Sequence, residues 1–312
     1  RVNDKMLSFT YERRFESHPA YTELWGIRKS IREINGHIRK GSHIERENMR
    51  NRISHLRDRA TELEILINEA LFSSTRVVAS TLVSSNHRIL NGRRFSTLFI
   101  DEAAQALEAA CWIAIRKADR VIFAGDHCQL PPTIKCIEAA RGGLDHTFME
   151  KVVANKPISV SLLKVQYRMN ESIMRFPSEW FYNNQLESAP EIRQRGILDF
   201  DTPMIWIDTS EMECHEEFVG ESFGRINKPE ANLLLQELES YIQKIGENRV
   251  LDEQIDFGLI SPYKAQVQYL RNKIKSSSFF RRFRPLITVN TVDGFQGQER
   301  DVIFISLVRA NE

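Results

Sequence analysis

The chain has 312 residues, of which 42% are hydrophobic and 27% charged, and its formal net charge is +1. It is long enough for two domains with real cores, and this balance excludes disorder along the whole length. No run of eighteen apolar residues occurs, and the opening "RVNDKMLSFT" lacks the charged start and apolar stretch of a secretory signal, so the expectation is a soluble, intracellular protein with no membrane partner, cytoplasmic or, in a eukaryote, nuclear. Four cysteines, Cys111, Cys128, Cys136 and Cys214, form no C-x-x-C pair; free, mostly buried thiols are expected, with neither a zinc site nor a disulfide framework.

The near-neutral total conceals segregation. Residues 1–60 carry 14 Lys+Arg against 8 Asp+Glu, residues 187–257 carry 6 against 17, and residues 258–290 carry 7 basic groups and no acid. Alternating blocks of opposite sign mean that a polyanion, if bound, meets particular faces; solvated helix faces are the alternative.

Residues 20–72 read as helix. Leu24, Ile27, Ile31, Ile34 and Ile38, then Ile44, Met49, Ile53, Leu56, Leu63, Leu66 and Ile67 recur at threes and fours among charges. Gly41 and Ser42 mark a break between two antiparallel helices, an arm or stalk packed on one side. From Arg76 the period changes. "RVVAST", "TLFID" and "RVIFAG" read as strands, with a helix from about Ala103 to Arg116 between the last two. A second set follows: strand "MIWID" (204–208), helix from Pro229 to Ile245, strand "FGLIS" (257–261), helix from Pro262 to Lys275, strand "LITVN" (286–290) and strand "VIFISLV" (302–308). The pattern predicts two α/β units with parallel sheets and a boundary near residues 155–165.

Five stretches carry chemistry. In "FSTLFIDEAAQALEA", Asp101 and Glu102 end a strand, where ligands of open parallel sheets bind; a helix N-terminus that favours negative charge is the alternative. "GDHCQLPPT" brings Asp126 and Gln129 to the same edge. "VQYRM" holds Gln166, Tyr167 and Arg168, where an arginine can neutralise a phosphate and a tyrosine can stack on a base, or a salt bridge and a core tyrosine can serve structure alone. "SPYKAQ" (261–266) opens a helix, and "TVNTVDGFQGQERDVIFISLVRANE" (288–312) clusters Thr291, Asp293, Gln296, Gly297, Gln298 and Glu299 between two strands, more polar groups than a hairpin turn needs.

In this order and spacing, "DEAAQALEA", "AGDHCQLPPT", "VQYRM", "SPYKAQ" and "VDGFQGQERDVIFISLVRAN" resemble motifs II to V of superfamily 1 helicases. The match is to the 5′-to-3′ branch that contains the immunoglobulin mu-binding protein helicase and the nonsense-mediated decay RNA helicase. "RVVASTLVSS" is similar to that branch's motif Ic, and the likeness covers about residues 45–312. It implies two RecA-like parallel-sheet domains, the first incomplete, preceded by a helical stalk: residues 1–74 the stalk inserted in the first motor domain, 75–160 the rest of that domain, 161–312 the second. It also implies ATP and Mg²⁺ as cofactors and single-stranded DNA or RNA as partner. Asp101 would hold Mg²⁺, Glu102 would be the general base, Gln129 would sense the γ-phosphate, and Arg168 would contact it. Tyr167 would stack near adenine, and Gly297 and Glu299 would approach phosphates and ribose. Ser80, Thr81, Pro262, Tyr263 and Thr291 would line the strand track.

The family's phosphate loop, G-x-x-x-x-G-K-[ST], does not occur in this sequence. The expectation is a fragment that lacks ATPase activity alone, its first sheet completed by the missing N-terminal part or a neighbouring copy. Two rival readings remain: a metal-dependent nuclease using Asp101, Glu102 and Asp126, and a non-catalytic module that binds nucleic acid or protein.

Overall fold

The shift from helical to alternating periodicity after residue 75 separates two kinds of structure. The computed structural model describes residues 4–37, 43–199, 201–220 and 224–309. They form two compact units, one of residues up to Asp126 with Pro131–Lys151, the other of His127–Leu130 and the chain from Val152 onward.

In the first unit, α1 (Asp4–Leu7) and α2 (Tyr11–Glu16) lead into α3 (Tyr21–His37) and α4 (His43–Ser73). α3 packs on α4, and Phe15, Leu24, Ala60, Leu63 and Ile67 form the buried seam. The seam is narrower than the predicted stripe, since Ile44 and Leu66 are exposed. Arg28–Glu64 (2.6 Å) and Arg59–Glu23 (2.9 Å) flank it; partly exposed pairs of this kind each contribute up to about 1 kcal/mol. The predicted break at Gly41 and Ser42, and Ile38 before it, lie outside the described residues.

The first sheet pairs β1 (Phe95–Ile100) with β2 (Ala118–Phe123) in parallel, Phe95 opposite Ala118 and Ile100 opposite Phe123. α5 (Glu108–Ile115) connects them, and Ile100, Ala103 and Cys111 are buried between sheet and helix. The predicted single helix from Ala103 to Arg116 is interrupted: a 3₁₀ turn covers Ala103–Gln105, and Ala106 and Leu107 are extended before α5 begins. "RVVAST" is not a strand. A strand exists only where a ladder forms, and the only described partner of β1 is β2. A short helical turn, α6 (Ile137–Ala139), precedes α7 (Phe148–Asn155). α7 opens on a capping box, with Thr147 Oγ1 accepting from Glu150 N at 3.2 Å and Glu150 Oε2 accepting from Thr147 N at 2.8 Å.

The second unit contains β3 (Val165–Gln166) parallel to β4 (Glu187–Ser188), joined through α8 (Glu171–Phe181), and an antiparallel hairpin of β5 (Glu217–Val219) and β6 (Gly224–Ile226). Its main sheet follows α9 (Lys228–Ile245) and α10 (Glu247–Asp252): β7 (Phe257–Ile260), α11 (Lys264–Ser276), β8 (Ile287–Asn290), α12 (Val292–Phe295) and β9 (Val302–Ile305). The order is β8-β7-β9, all parallel, with Ile260 opposite both Asn290 and Ile305. The central β7 reads "FGLI" without polar alternation because both faces are covered. Phe257, Leu259, Leu238, Ile242, Leu270 and Phe283 are fully buried around it, each contributing about 1.5–3 kcal/mol by leaving water. "MIWID" is not a strand; Trp206 is 78% exposed, so its apolar run finds no ladder among the described residues. "VIFISLV" stops being strand at Ile305. The result is a mixed α/β molecule with small parallel sheets of two and three strands, smaller than the two RecA-like sheets the resemblance implies.

All four cysteines are free. Cys111 and Cys214 are buried, and burial pushes both thiols up, whereas Cys136 is exposed and Cys128 intermediate.

Candidate functional site

The first sheet delivers its acids at its carboxyl edge. β1 ends at Ile100, and the next residues, Asp101 and Glu102, are both exposed. The turn is pinned by backbone: Ala124 N donates to Ile100 O at 2.9 Å and Ala103 N to Ala124 O at 2.9 Å. Glu102 sits in the left-handed region (φ 51°, ψ 40°), a conformation that costs a non-glycine residue about 1 kcal/mol or more and concentrates at functional sites. Its amide donates to Asp101 Oδ1 (3.0 Å), and Gln105 Nε2 donates to Glu102 Oε2 (2.9 Å). Gly125, after β2, has φ 156°, and a Cβ there would meet Ala103 N at 2.9 Å and Ala104 N at 3.2 Å. Only glycine fits this approach, which sets Asp126 at the same edge as the acid pair. Gln129 is exposed and falls in the second unit.

In the second unit the "QYRM" turn is built by Gln166. Its Oε1 accepts from Arg168 N (2.9 Å) and Met169 N (2.7 Å), while its Nε2 donates to Met169 O and to Ser188 Oγ, both at 2.7 Å. Asn170 caps α8 through Ser172 N at 2.9 Å. The turn leaves Tyr167 66% exposed and places Arg168 Nε 2.8 Å from Glu299 Oε2, with both side chains more than half exposed. Two residues expected at the nucleotide are thereby brought together. Gly297, two positions before Glu299, has φ +73° and open space where a Cβ would be.

The carboxyl edge of the main sheet is more deeply built. Ser261 follows β7 and its amide donates to Asn290 O, 3.3 Å away. Asn290 Oδ1 accepts from Thr291 N (3.0 Å) and Asn290 Nδ2 donates to Gly294 O (3.2 Å), folding α12 back on β8. Pro262 is exposed, and Tyr263 and Thr291 are half-buried. Ser80 and Thr81, exposed, belong to the first unit, where Thr81 Oγ1 accepts from Ser84 N at 3.2 Å. Behind the second edge lies a buried polar network that the motifs did not announce. Gln266 Oε1 accepts from Asn227 N, and Gln266 Nε2 donates to Asn227 O, both at 2.9 Å, and to Ser306 Oγ at 3.0 Å. Asn227 Nδ2 donates to the carbonyls of Cys214 (2.9 Å) and Val308 (3.0 Å). Glu230 Oε1 accepts from Ser306 Oγ (2.8 Å) and Val308 N (3.1 Å). These bonds hold Val308 at φ 72° although it is β-branched and fully buried, which is why the last predicted strand ends early. The signal was present in "NKPE" (227–230), a cap residue with an acid three positions on and Pro229 between. In place, Asn227 Oδ1 caps Glu230 N at 3.0 Å, but the Glu230 carboxylate turns to Ser306 and Val308, just past β9, instead of closing the box.

Two AAA-domain family models match the chain, over residues 3–136 and 144–312. It is 33% identical over 300 residues to DNA-binding protein SMUBP-2 of Mesocricetus auratus, covering 91% of this chain and 29% of that protein. It is 35% identical over 251 residues to an uncharacterized ATP-dependent helicase of Methanocaldococcus jannaschii (79% of this chain, 36% of the relative). It is 33% identical over 250 residues to the regulator of nonsense transcripts 1 homolog of Drosophila melanogaster (78% and 20%). The chain thus spans between a fifth and two fifths of the length of these relatives. With its strand-end acid pair, arginine turn and glycine-containing loop in the family's order, the chain belongs to the superfamily 1 helicases with AAA domains, and it is similar among them to the immunoglobulin mu-binding and nonsense-transcript-regulating members.

Proposed function

We propose that the complete protein is an ATP-dependent helicase or translocase that couples ATP hydrolysis to movement on single-stranded DNA or RNA and to duplex unwinding. The observation that carries this reading is Glu102, held left-handed and exposed beside Asp101 at a strand end. The two carboxylates are hard oxygen donors at an accessible edge, a set that suits Mg²⁺. Asp101 would hold the ion, which when bound neutralises phosphate charge. Glu102 accepts the proton of the attacking water while Gln105 steadies its carboxylate. Arg168 leaves Glu299 to donate to the γ-phosphate, and Gln129 reads that phosphate. Tyr167 stacks on the base, Glu299 turns to the ribose, and the open space at Gly297 admits the phosphates. Ser80, Thr81, Pro262, Tyr263 and Thr291 line the strand track. In this assignment residues 1–74 are the stalk, 75–160 belong to the first motor domain and 161–312 to the second.

The 312-residue chain, having no G-x-x-x-x-G-K-[ST], does not turn over ATP by itself, and its first sheet is completed by the remaining part of the motor or by a neighbouring copy. A nuclease is disfavoured because, among the described residues, Asp101, Glu102 and Asp126 do not come together as three ligands within metal reach. The test is to assay the chain alone for ATP turnover and, separately, for Mg²⁺-dependent strand cleavage without ATP. Neither activity is expected; turnover abolished by Glu102→Gln would overturn the first statement, and cleavage would install the nuclease instead. Strand binding that the complete protein shows with no response to ATP would favour the non-catalytic module.

A further inference from the structure

The acid-free segment of residues 258–290 carries seven basic residues, and the site assigned above uses none of them. Lys264 starts α11, and Arg271 is engaged by β8, its guanidinium donating to Val289 O at 3.0 and 2.6 Å. The other five follow: Lys273, Lys275, Arg281, Arg282 and Arg284, all exposed. Because β7 and β8 are parallel, the connection that leaves α11 and enters β8 returns to the amino-terminal edge of the sheet, opposite Ser261 and Thr291.

That connection is "SSSFFRRFRP", residues 276–285, folded into two 3₁₀ turns, Phe279–Arg281 and Arg284–Leu286. Phe280 and Phe283 are 3% and 0% exposed, and the ring of Phe279 lies 5.2 and 5.4 Å from theirs. Ser277 Oγ accepts from Phe280 N (3.3 Å), and Arg284 donates to the carbonyl of Lys275, so the helix end and the second turn are tied side by side. An apolar anchor therefore holds a row of cations at the surface. Arg282 pairs with Glu247 at 3.3 Å, and Lys273 lies over the Tyr269 ring at 5.3 Å. The helix dipole accounts for lysines in the last turn of α11, but it does not reach Arg281 and Arg282 beyond it.

We propose that Lys273, Lys275, Arg281 and Arg282 form a second phosphodiester-binding surface, which grips the nucleic-acid backbone at the sheet edge opposite the strand track. The proposal rests on the reading of the complete protein as a nucleic-acid motor and adds a contact to it. Arginines give two-pronged bonds to phosphate oxygens, and Ser277 and Ser278 add hydroxyl donors, the Ser276 hydroxyl being given to Lys273 O at 3.0 Å. A nucleic acid suits the surface better than an acidic protein does. The phenylalanines are turned into the core, leaving cations and hydroxyls without the apolar centre that protein interfaces require.

The experiment measures binding of a labelled single strand to the complete protein by fluorescence anisotropy across a salt series, for wild type and for Lys273→Gln/Lys275→Gln/Arg281→Gln. Loss of three phosphate contacts is expected to weaken binding roughly tenfold or more at low salt and to flatten the log–log salt slope by about 2. The charge-keeping set Lys273→Arg/Lys275→Arg/Arg281→Lys should retain both. Arg281→Gln alone, outside the helix, should show a smaller loss and flattening, and it decides the matter if the triple variant unfolds. Unchanged affinity and slope would overturn the proposal. If Tyr263→Ala/Thr291→Ala weakens binding while the triple variant does not, the track reading stands and this surface falls; if the complete protein binds no strand, both fall. Self-association lost in the triple variant with strand affinity intact would assign the surface to a second copy and overturn the proposal.

Discussion

The two sheet edges are built on different principles. At the first, Asp101 and Glu102 stand exposed, and what is fixed is backbone: the Ala103–Ala124 and Ala124–Ile100 bonds and the glycine at 125. At the second, Asn227, Gln266 and Ser306 are fully buried and each is satisfied by side chain or carbonyl. A buried polar network is worth having only when complete, whereas groups that must meet a ligand are left accessible to it. The first edge keeps its chemistry reachable on a rigid turn, and the second locks its chain path from behind.

The comparison predicts that side-chain deletion hurts the second edge and backbone crowding hurts the first. Asn227→Ala removes donors to Cys214 O and Val308 O and the cap on α9, and should destabilise the second unit by about 2–4 kcal/mol, read from urea unfolding of the chain. Gly125→Ala puts a methyl against the amides of Ala103 and Ala104 at a positive φ, and should cost about 1–3 kcal/mol in the first unit. A loss of less than 0.5 kcal/mol, on the order of a surface substitution, would show that this turn is not held as described.

A smaller effect follows from charge. Lys244, 2.9 Å away, and then Tyr241, 2.6 Å away, hold the Asp201 carboxyl below its usual range. Burial, then the Asp201 hydrogen bond, raises the Tyr241 hydroxyl. A carboxyl lowered in the folded state stabilises above its unfolded value, near pH 4, and that contribution is lost as pH falls through the folded value. The raised tyrosine contributes below about pH 10 and is lost above it. Asp201→Asn should flatten the acid limb of a stability–pH curve by under about 1 kcal/mol and reduce the alkaline one. Least of all, Gln105→Ala, at the exposed first edge, should change stability by less than about 0.5 kcal/mol.

Elements that rest on local pattern were legible in sequence. The 3.6-residue periodicity of α9 and α11 and the apolar runs of β7 and β8 fall within two residues of their observed limits. What was illegible depends on partners distant in sequence. "RVVAST" and "MIWID" have strand composition but no ladder, and "VIFISLV" ends at Ile305 because Glu230 and Asn227, more than seventy residues earlier, bend Val308 out of line. The acid pair was legible as a strand-end feature. The left-handed Glu102 was not, since its conformation is set by the neighbouring strand's turn and not by its own residue type.

The central claim, that Glu102 is the base of an ATP-driven motor, is tested most directly in the complete protein by single-strand-stimulated ATP turnover with and without Glu102→Gln. The account predicts turnover that rises with added strand and falls about 10²–10⁴-fold in the variant, while nucleotide binding and strand binding persist. Turnover that survives the substitution within a few fold would contradict it.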